Sequence, residues 1–375
     1  MKNLIRNLSL GLAFVVTSAH ATVYYVSPTG NDSNNGTTQT TPWKTITRVQ
    51  QLASTALAGD QVLFQRGGTY VGQLTWYKSG TAAANITIGA YGTGALPVIS
   101  GATPVTGWTL HSGNIYKATV SQPVQYVFVS GALQTLARYP NTGWSRVNTS
   151  NSTSVTSTGI TQASGYWNGA TMVLRSTNWC YENRVISTHT GTTVNFPALN
   201  YAAGNYNWGF FLCNKLAALD SPGEWYHDAA TGVLYLWAPT GVNPNTLTVE
   251  ASIHNYGVFV EWQRTYVKIQ DINFKGQRAA GVKVSGSNIT VTGCTLEKMY
   301  LGIQSYGSNN TYSNNTIRNT YGSGVSILDN NTTVSGSTFT DIALIPGLGE
   351  SAFGYFGLRV GGGTNTVRGN KVTNT

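Results

Sequence analysis

Gly257-Val258-Phe259-Val260, Gly281-Val282-Lys283-Val284, Gly302-Ile303-Gln304-Ser305, Gly324-Val325-Ser326-Ile327 and Gly357-Leu358-Arg359-Val360 are one short phrase written five times. Their spacings are 24, 21, 22 and 33 residues. A second frame follows the first: Phe274, Leu296, Ile317, Phe339 and Val372 recur at 22, 21, 22 and 33 residues. Five residues ahead of each stands Ile269, Val291, Tyr312, Val334 or Val367. Two frames that share one period mean one supersecondary unit per repeat, stacked so that neighbours bury what a single unit cannot.

The unit is too short for paired helices. The apolar pairs Val258 and Val260, Val282 and Val284, Val325 and Ile327, and Leu358 and Val360 alternate with period two, as strands do. Asn, Gly and Ser separate them, as turns require. The pattern predicts an all-β chain, a right-handed parallel β-helix with coils of about 22 residues. Ile272, Cys294, Asn315, Ser337 and Asn370, two residues ahead of the second frame, are expected to stack as a ladder in a bend.

Composition fits an extended β protein outside the cell. Only 9% of the 375 residues are charged, while 43 Gly, 21 Tyr and 10 Trp are present. Met1 to Ala21 reads as an export signal: Lys2 and Arg6, an apolar run from Leu8 to Val16, then Ala19-His20-Ala21. The run is too short to span a bilayer. Secretion, extracellular or periplasmic, is the expectation. Without Lys2 and Arg6 the formal charge falls by two, from +9 to +7. No cluster of Lys or Arg accompanies it, so nucleic acid is not an expected partner; an acidic polysaccharide suits it better. Three cysteines fit either redox compartment: Cys180 and Cys213 could pair, and Cys294 falls on the inward ladder.

Residues 22–101 read as the entry to the array. Tyr24-Tyr25-Val26 is a strand, and Ile46, Val49, Leu52 and Leu57 fall near helical spacing, which suits a helix covering the open end of a β-helix. Gln61 to Phe64 and Asn85 to Ile88 are expected strands of the first coils. Asp32 reads as a turn former rather than a calcium ligand. Residues 102–249 lose the period and turn aromatic, which predicts an inserted β-rich domain; the coils resume over 250–375. The last repeat stops midway through a coil, so a fragment of a longer array is expected.

Two resemblances follow from these residues. Tyr24-Tyr25-Val26-Ser27-Pro28-Thr29-Gly30-Asn31-Asp32 with Pro42-Trp43-Lys44-Thr45-Ile46 resembles the amino-terminal signature of exported bacterial right-handed β-helix proteins, among them polysaccharide lyases and glycoside hydrolases. Leu133 to Asn141 and Leu219 to Tyr226 are similar to segments in the insert of β-helical glycoside hydrolases of the β-xylosidase kind. The resemblance is specific for the fold and poor for the reaction; the expectation is a monomeric enzyme acting on a polysaccharide or oligosaccharide, of plant or algal origin.

Aromatic faces suit sugar rings. Arg138, Tyr139, Trp144 and Trp225 stand beside Pro, Asn or Gly turns and are the expected substrate contacts. The 33-residue interval locates the chemistry, because the excess of about 11 residues falls within 342–356. Asp341 opens this excursion, Glu350 stands at its crest and Arg359 follows on the next outward strand position. Asp341 and Glu350 form the expected carboxylate pair of a hydrolase, with no metal or other cofactor. Glu261, Asp271, Glu297 and Asp329 are further outward candidates. The alternative is β-elimination or epimerisation on a uronate polymer, with Lys283, Lys298, Arg318 or Arg359 as base and Ca²⁺ as an assistant. His227 and His254 could act as acid or base, though a lone His in a turn is more often polar surface. A third alternative is a glycan-binding β-helix without catalysis.

Overall fold

The computed structural model describes residues 21–201, 204–239, 241–347 and 355–374. The segment read as an export signal, apart from Ala21, and Glu350 lie outside the described residues. Among the described residues no helix is long and apolar enough to cross a membrane.

The chain is a right-handed parallel β-helix in which each coil lays one strand on each of three sheets. On the first sheet, Tyr256–Val260, Ala280–Val284, Leu301–Ser305, Ser323–Leu328 and Leu358–Gly361 stack upon Leu74–Trp76. The second carries Val267–Gln270, Thr290–Thr292, Thr311–Ser313, Thr333–Ser335 and Thr366–Arg368, continuing Val23–Val26, Gln61–Gln65 and Ile86–Tyr91. The third carries Asn273–Lys275, Thr295–Glu297, Thr316–Arg318, Thr338–Thr340 and Lys371–Thr373 upon Thr69–Val71 and Val98–Ser100.

Alternation decides what faces in. Val258, Val260, Val282, Val284, Val325 and Ile327 are buried together with Ile269, Val291, Tyr312 and Val334 from the second sheet and Phe274, Leu296, Ile317 and Phe339 from the third. Phe259, Lys283, Gln304, Ser326 and Arg359 form the outward column in register between them. Each buried aliphatic side chain contributes about 1.5–3 kcal/mol.

The glycine that opens each repeat is needed for space. A Cβ on Gly257 would stand 2.3 Å from Phe274, on Gly281 2.8 Å from Leu296, on Gly302 3.0 Å from Ile317 and on Gly324 3.2 Å from Phe339. Both frames of the repeat therefore meet at this corner. The second-frame side chain occupies the volume that any residue larger than glycine would claim.

Polar ladders hold the bends. Cys294 N donates to Asn315 Oδ1 (2.9 Å), Asn315 N to Ser337 Oγ (3.1 Å) and Ser337 N to Asn370 Oδ1 (2.9 Å), so the expected ladder forms. A second ladder with the same period runs from Ile289 N to Asn310 Oδ1 (2.8 Å), Asn310 N to Thr332 Oγ1 (3.2 Å) and Thr332 N to Asn365 Oδ1 (2.8 Å). A third column turns the chain after each third-sheet strand: Lys298, Asn319, Asp341 and Asn374 all have φ between 51° and 57°. Asn and Asp tolerate that left-handed conformation better than other side chains.

The helix Ile46–Leu52 packs Ile46, Val49 and Leu52 into the core with Leu74 and Trp76, and Thr45 caps it by accepting from Arg48 N (3.2 Å). It is shorter than the apolar spacing suggested: Leu57 is 52% exposed, because Asp60 Oδ2 accepts from Leu57 N (2.8 Å) and turns the chain into Gln61–Gln65. Asp32 accepts from Lys44 N, Thr45 N and Thr45 Oγ1, tying its loop to the helix start.

The segment that follows Val98–Ser100 leaves the third sheet at Ala102 and rejoins the first at Tyr256. In between it builds four small sheets, antiparallel apart from Thr135–Leu136 against Glu224–Trp225, around three apolar clusters of its own. No disulfide joins Cys180 to Cys213, a pairing the sequence allows; all three cysteines are buried.

Gly257→Ala is expected to destabilise the chain by about 1–3 kcal/mol through overpacking. Combining it with Phe274→Leu should cost at least about 0.5 kcal/mol less than the sum of the two; strict additivity in urea unfolding would refute the corner argument. Asn315→Ala orphans the Cys294 N–H and removes one of the bonds on the Val291 carbonyl. The cost should be about 1–3 kcal/mol. Asn370→Ala, in the half-exposed last coil, should cost less, and equal losses in urea midpoints would count against the ladder as a buried device.

Candidate active site

The insert and the long excursion leave the β-helix at the same corner, the passage from third sheet to first. Ser100 leads into the insert and Thr340 into the excursion, and both stand in the third-sheet register. The insert therefore lies along the edge from which the excursion rises. Three contacts fasten it there: Lys298 Nζ donates to Gly131 O (2.6 Å), Tyr126 and Tyr321 pack with centroids 4.6 Å apart, and Asn183 Nδ2 donates to Gly347 O.

Between them opens a cleft of about 500 Å³. Arg138, Val173, Asn183, Phe211 and His227 line it from the insert, and Leu344 to Gly347 close it from the coil side. The two segments that resemble β-helical hydrolases form one wall. Thr135 and Leu136 pair in parallel with Glu224 and Trp225, and Asn141 Nδ2 donates to Asp220 Oδ1 (2.8 Å). Glu224 is buried and accepts from the backbone N–H groups of Arg138, Asp220 and Ser221, so a single carboxylate joins both segments. Burial raises its pKa, partly offset by those hydrogen bonds.

Rings continue the wall toward the excursion. Trp144 stacks on Tyr181 at 5.4 Å and meets Phe211 edge-on at 5.0 Å, and Tyr181 meets Tyr355 edge-on at 6.0 Å. The Arg138 guanidinium carbon lies 3.9 Å from the Phe211 ring centroid. Cys213, behind Arg138, is buried, and that burial pushes its thiol up to about 12. His227 Nε2 lies 2.8 Å from the Val120 carbonyl, which makes it the protonated nitrogen.

The four expected substrate contacts divide. Arg138 lines the cleft and Trp144 stands in its ring system. Tyr139 is half-buried and spends its hydroxyl on Gly159 O (2.9 Å). Trp225 lines the cleft as well but is 4% exposed, its indole N–H on Gln134 O (3.2 Å) and its ring packed in the insert's apolar cluster, which corrects the reading of it as a surface residue.

The expected catalytic residues are placed as follows. Asp341 stands at the foot of the excursion in the left-handed turn column, and its carboxylate accepts from Asn374 Nδ2 (3.0 Å). Glu350 lies outside the described residues, three positions beyond Gly347 in sequence. Arg359 takes the outward position beside Ser326 on the first sheet. Asp329, read as outward, is instead wholly buried; it accepts from Ser305 Oγ, Gly307 N, Asn310 Nδ2 and Thr332 Oγ1 where the coil turns. Glu297 is buried too, held by Arg318 Nε at 2.8 Å and Asn273 Nδ2 at 3.1 Å. Lys283 lies over Tyr256 and Phe259. Neither Phe211 nor Asn183 stood out in the sequence, because nothing in a non-repeating segment marks which face of a strand meets the coils.

Residues 236–375 match the family described as right handed beta helix region. The chain is 41% identical over 85 residues to a lacto-N-biosidase of Bifidobacterium longum subsp. longum, covering 22% of this chain and 5% of that protein. A solved structure titled glycoside hydrolase superposes with TM-score 0.71 at 17% identity, over 86% of this chain and 74% of that one. A structure of XylC with xylose gives 0.54 at 14% identity, over 86% and 54%. The chain is thus a right-handed parallel β-helix protein with the fold of β-helical glycoside hydrolases. It spans a small part of its curated relative's length.

Asn183→Ala is expected to speed hydrogen exchange at Ile345 and Gly347 roughly fivefold, the equivalent of one lost hydrogen bond of about 1 kcal/mol. Unchanged exchange there would mean that the insert does not hold the excursion.

Proposed function

We propose that the chain is an exported, carbohydrate-active enzyme, a glycoside hydrolase that works on a polysaccharide or oligosaccharide in the cleft between insert and excursion. The observation that carries this reading is the cleft's position: two departures from the coil share one corner and enclose a groove walled by rings. Sugar rings stack on aromatic faces and leave their hydroxyls free to bond. The similarity to a lacto-N-biosidase and to a structure titled glycoside hydrolase supports the same class.

Asp341 and Glu350, at the foot and crest of the excursion, are the proposed carboxylates. One protonates the departing glycosidic oxygen while the other, ionised, attacks the anomeric carbon or activates water. A lyase or epimerase acting on a uronate polymer is the second reading. One observation favours it: among the described residues that line the cleft are Arg138 and His227 but no Asp or Glu.

Asp341→Asn is a clean probe, since Asn319 and Asn374 occupy the same turn column and the fold should be kept. Both Asp341→Asn and Glu350→Gln are expected to lower kcat at least about 100-fold without a shift in Tm. Retention of activity by Asp341→Asn would leave that residue a turn former. With neutral and uronate polysaccharides offered separately, new reducing ends without unsaturated products are expected; unsaturated products would establish the lyase, and binding without either product a glycan-binding protein.

A further inference from the structure

We propose that the cleft recognises a sugar unit bearing negative charge, a uronate carboxylate or a sulfate ester, with Arg138 as its counter-charge. The inference rests on the cleft being a carbohydrate site and adds the charge of the substrate.

Arg138 is held in place but not neutralised. Its guanidinium lies against Phe211, with Nε donating to Pro140 O (3.0 Å) and Nη2 to Gly143 O. These bonds use two of its five N–H donors. The carboxylate whose charge reaches it, Glu224, is occupied by three backbone N–H groups, and among the described residues Arg138 forms no ion pair. A half-buried cation is ordinarily paired. Burial also depresses its pKa, a penalty that an arriving anion relieves.

No Asp or Glu stands among the described lining of the cleft to compete for the remaining donors of Arg138, which fits an acceptor-rich ligand. A carboxylate or sulfate matches the planar guanidinium fork in a way a neutral hydroxyl does not.

The test is calorimetric titration of the full chain with trigalacturonate, its carboxyl-reduced trisaccharide and a sulfated galactan oligosaccharide. An acidic ligand is expected to bind at least about tenfold more tightly than the reduced one, and less so as salt rises. Preference for the uronate alone would assign the carboxylate, and preference for the sulfated sugar alone the sulfate ester. Arg138→Gln should abolish the preference; if that variant does not fold, Arg138→Lys should reduce it by weakening the fork. Equal binding of acidic and reduced sugars, or a preference that survives in folded Arg138→Gln, would overturn the inference. Charge preference without bond cleavage would remove the hydrolase reading and leave this one standing, whereas cleavage confined to neutral sugars would do the reverse.

Discussion

The structure depends on a close approach at one corner of every coil, where the glycine opening a first-sheet strand lies against the apolar side chain of a third-sheet strand. Gly257 meets Phe274, Gly281 meets Leu296, Gly302 meets Ile317 and Gly324 meets Phe339. Neither partner works alone. A larger residue in place of glycine would displace the third-sheet side chain, and a smaller third-sheet residue would leave a void that close packing does not tolerate. Because the pair recurs in each coil, the three sheets keep one register along the array. The amide and hydroxyl ladders then satisfy the bends, so that turning the chain inside a packed core leaves few backbone groups unbonded.

That regularity gives meaning to departures from it. Both the insert and the excursion begin where a third-sheet strand ends, so a rigid scaffold brings them to the same edge although the starts at Ala102 and Asp341 are far apart in sequence. The insert then leans over the intervening coils through Lys298, Tyr321 and Gly347. A cleft made in this way has one wall from the insert's sheets and one from the coil side. Its ring system and its arginine come from the insert, and the carboxylates proposed for chemistry come from the excursion.

Much of the scaffold was legible. The spacing of Phe274, Leu296, Ile317 and Phe339 announced the third sheet, and Cys294, Asn315, Ser337 and Asn370 announced a ladder. The second ladder of Asn310, Thr332 and Asn365 carried the same period and was overlooked, because its first members, Val267 and Ile289, are apolar and blend with the strand. Asp329 was misread for a related reason. An acidic residue just after a strand suggests surface, yet Ser305, Asn310 and Thr332 supply enough donors to hold it inside.

Sequence alone determined the parallel coil, the capping helix, the position of the insert and the corner at which the long excursion leaves, because a repeat turns local spacing into three-dimensional position. Only the tertiary structure decided what faces the cleft. Trp225 is buried yet lines the cleft, Arg138 is fixed against Phe211, and Glu224 joins two segments whose bonded residues lie 86 positions apart. The insert has no period, so its contacts are between distant residues, and which side of a strand meets them is settled only when the chain has folded.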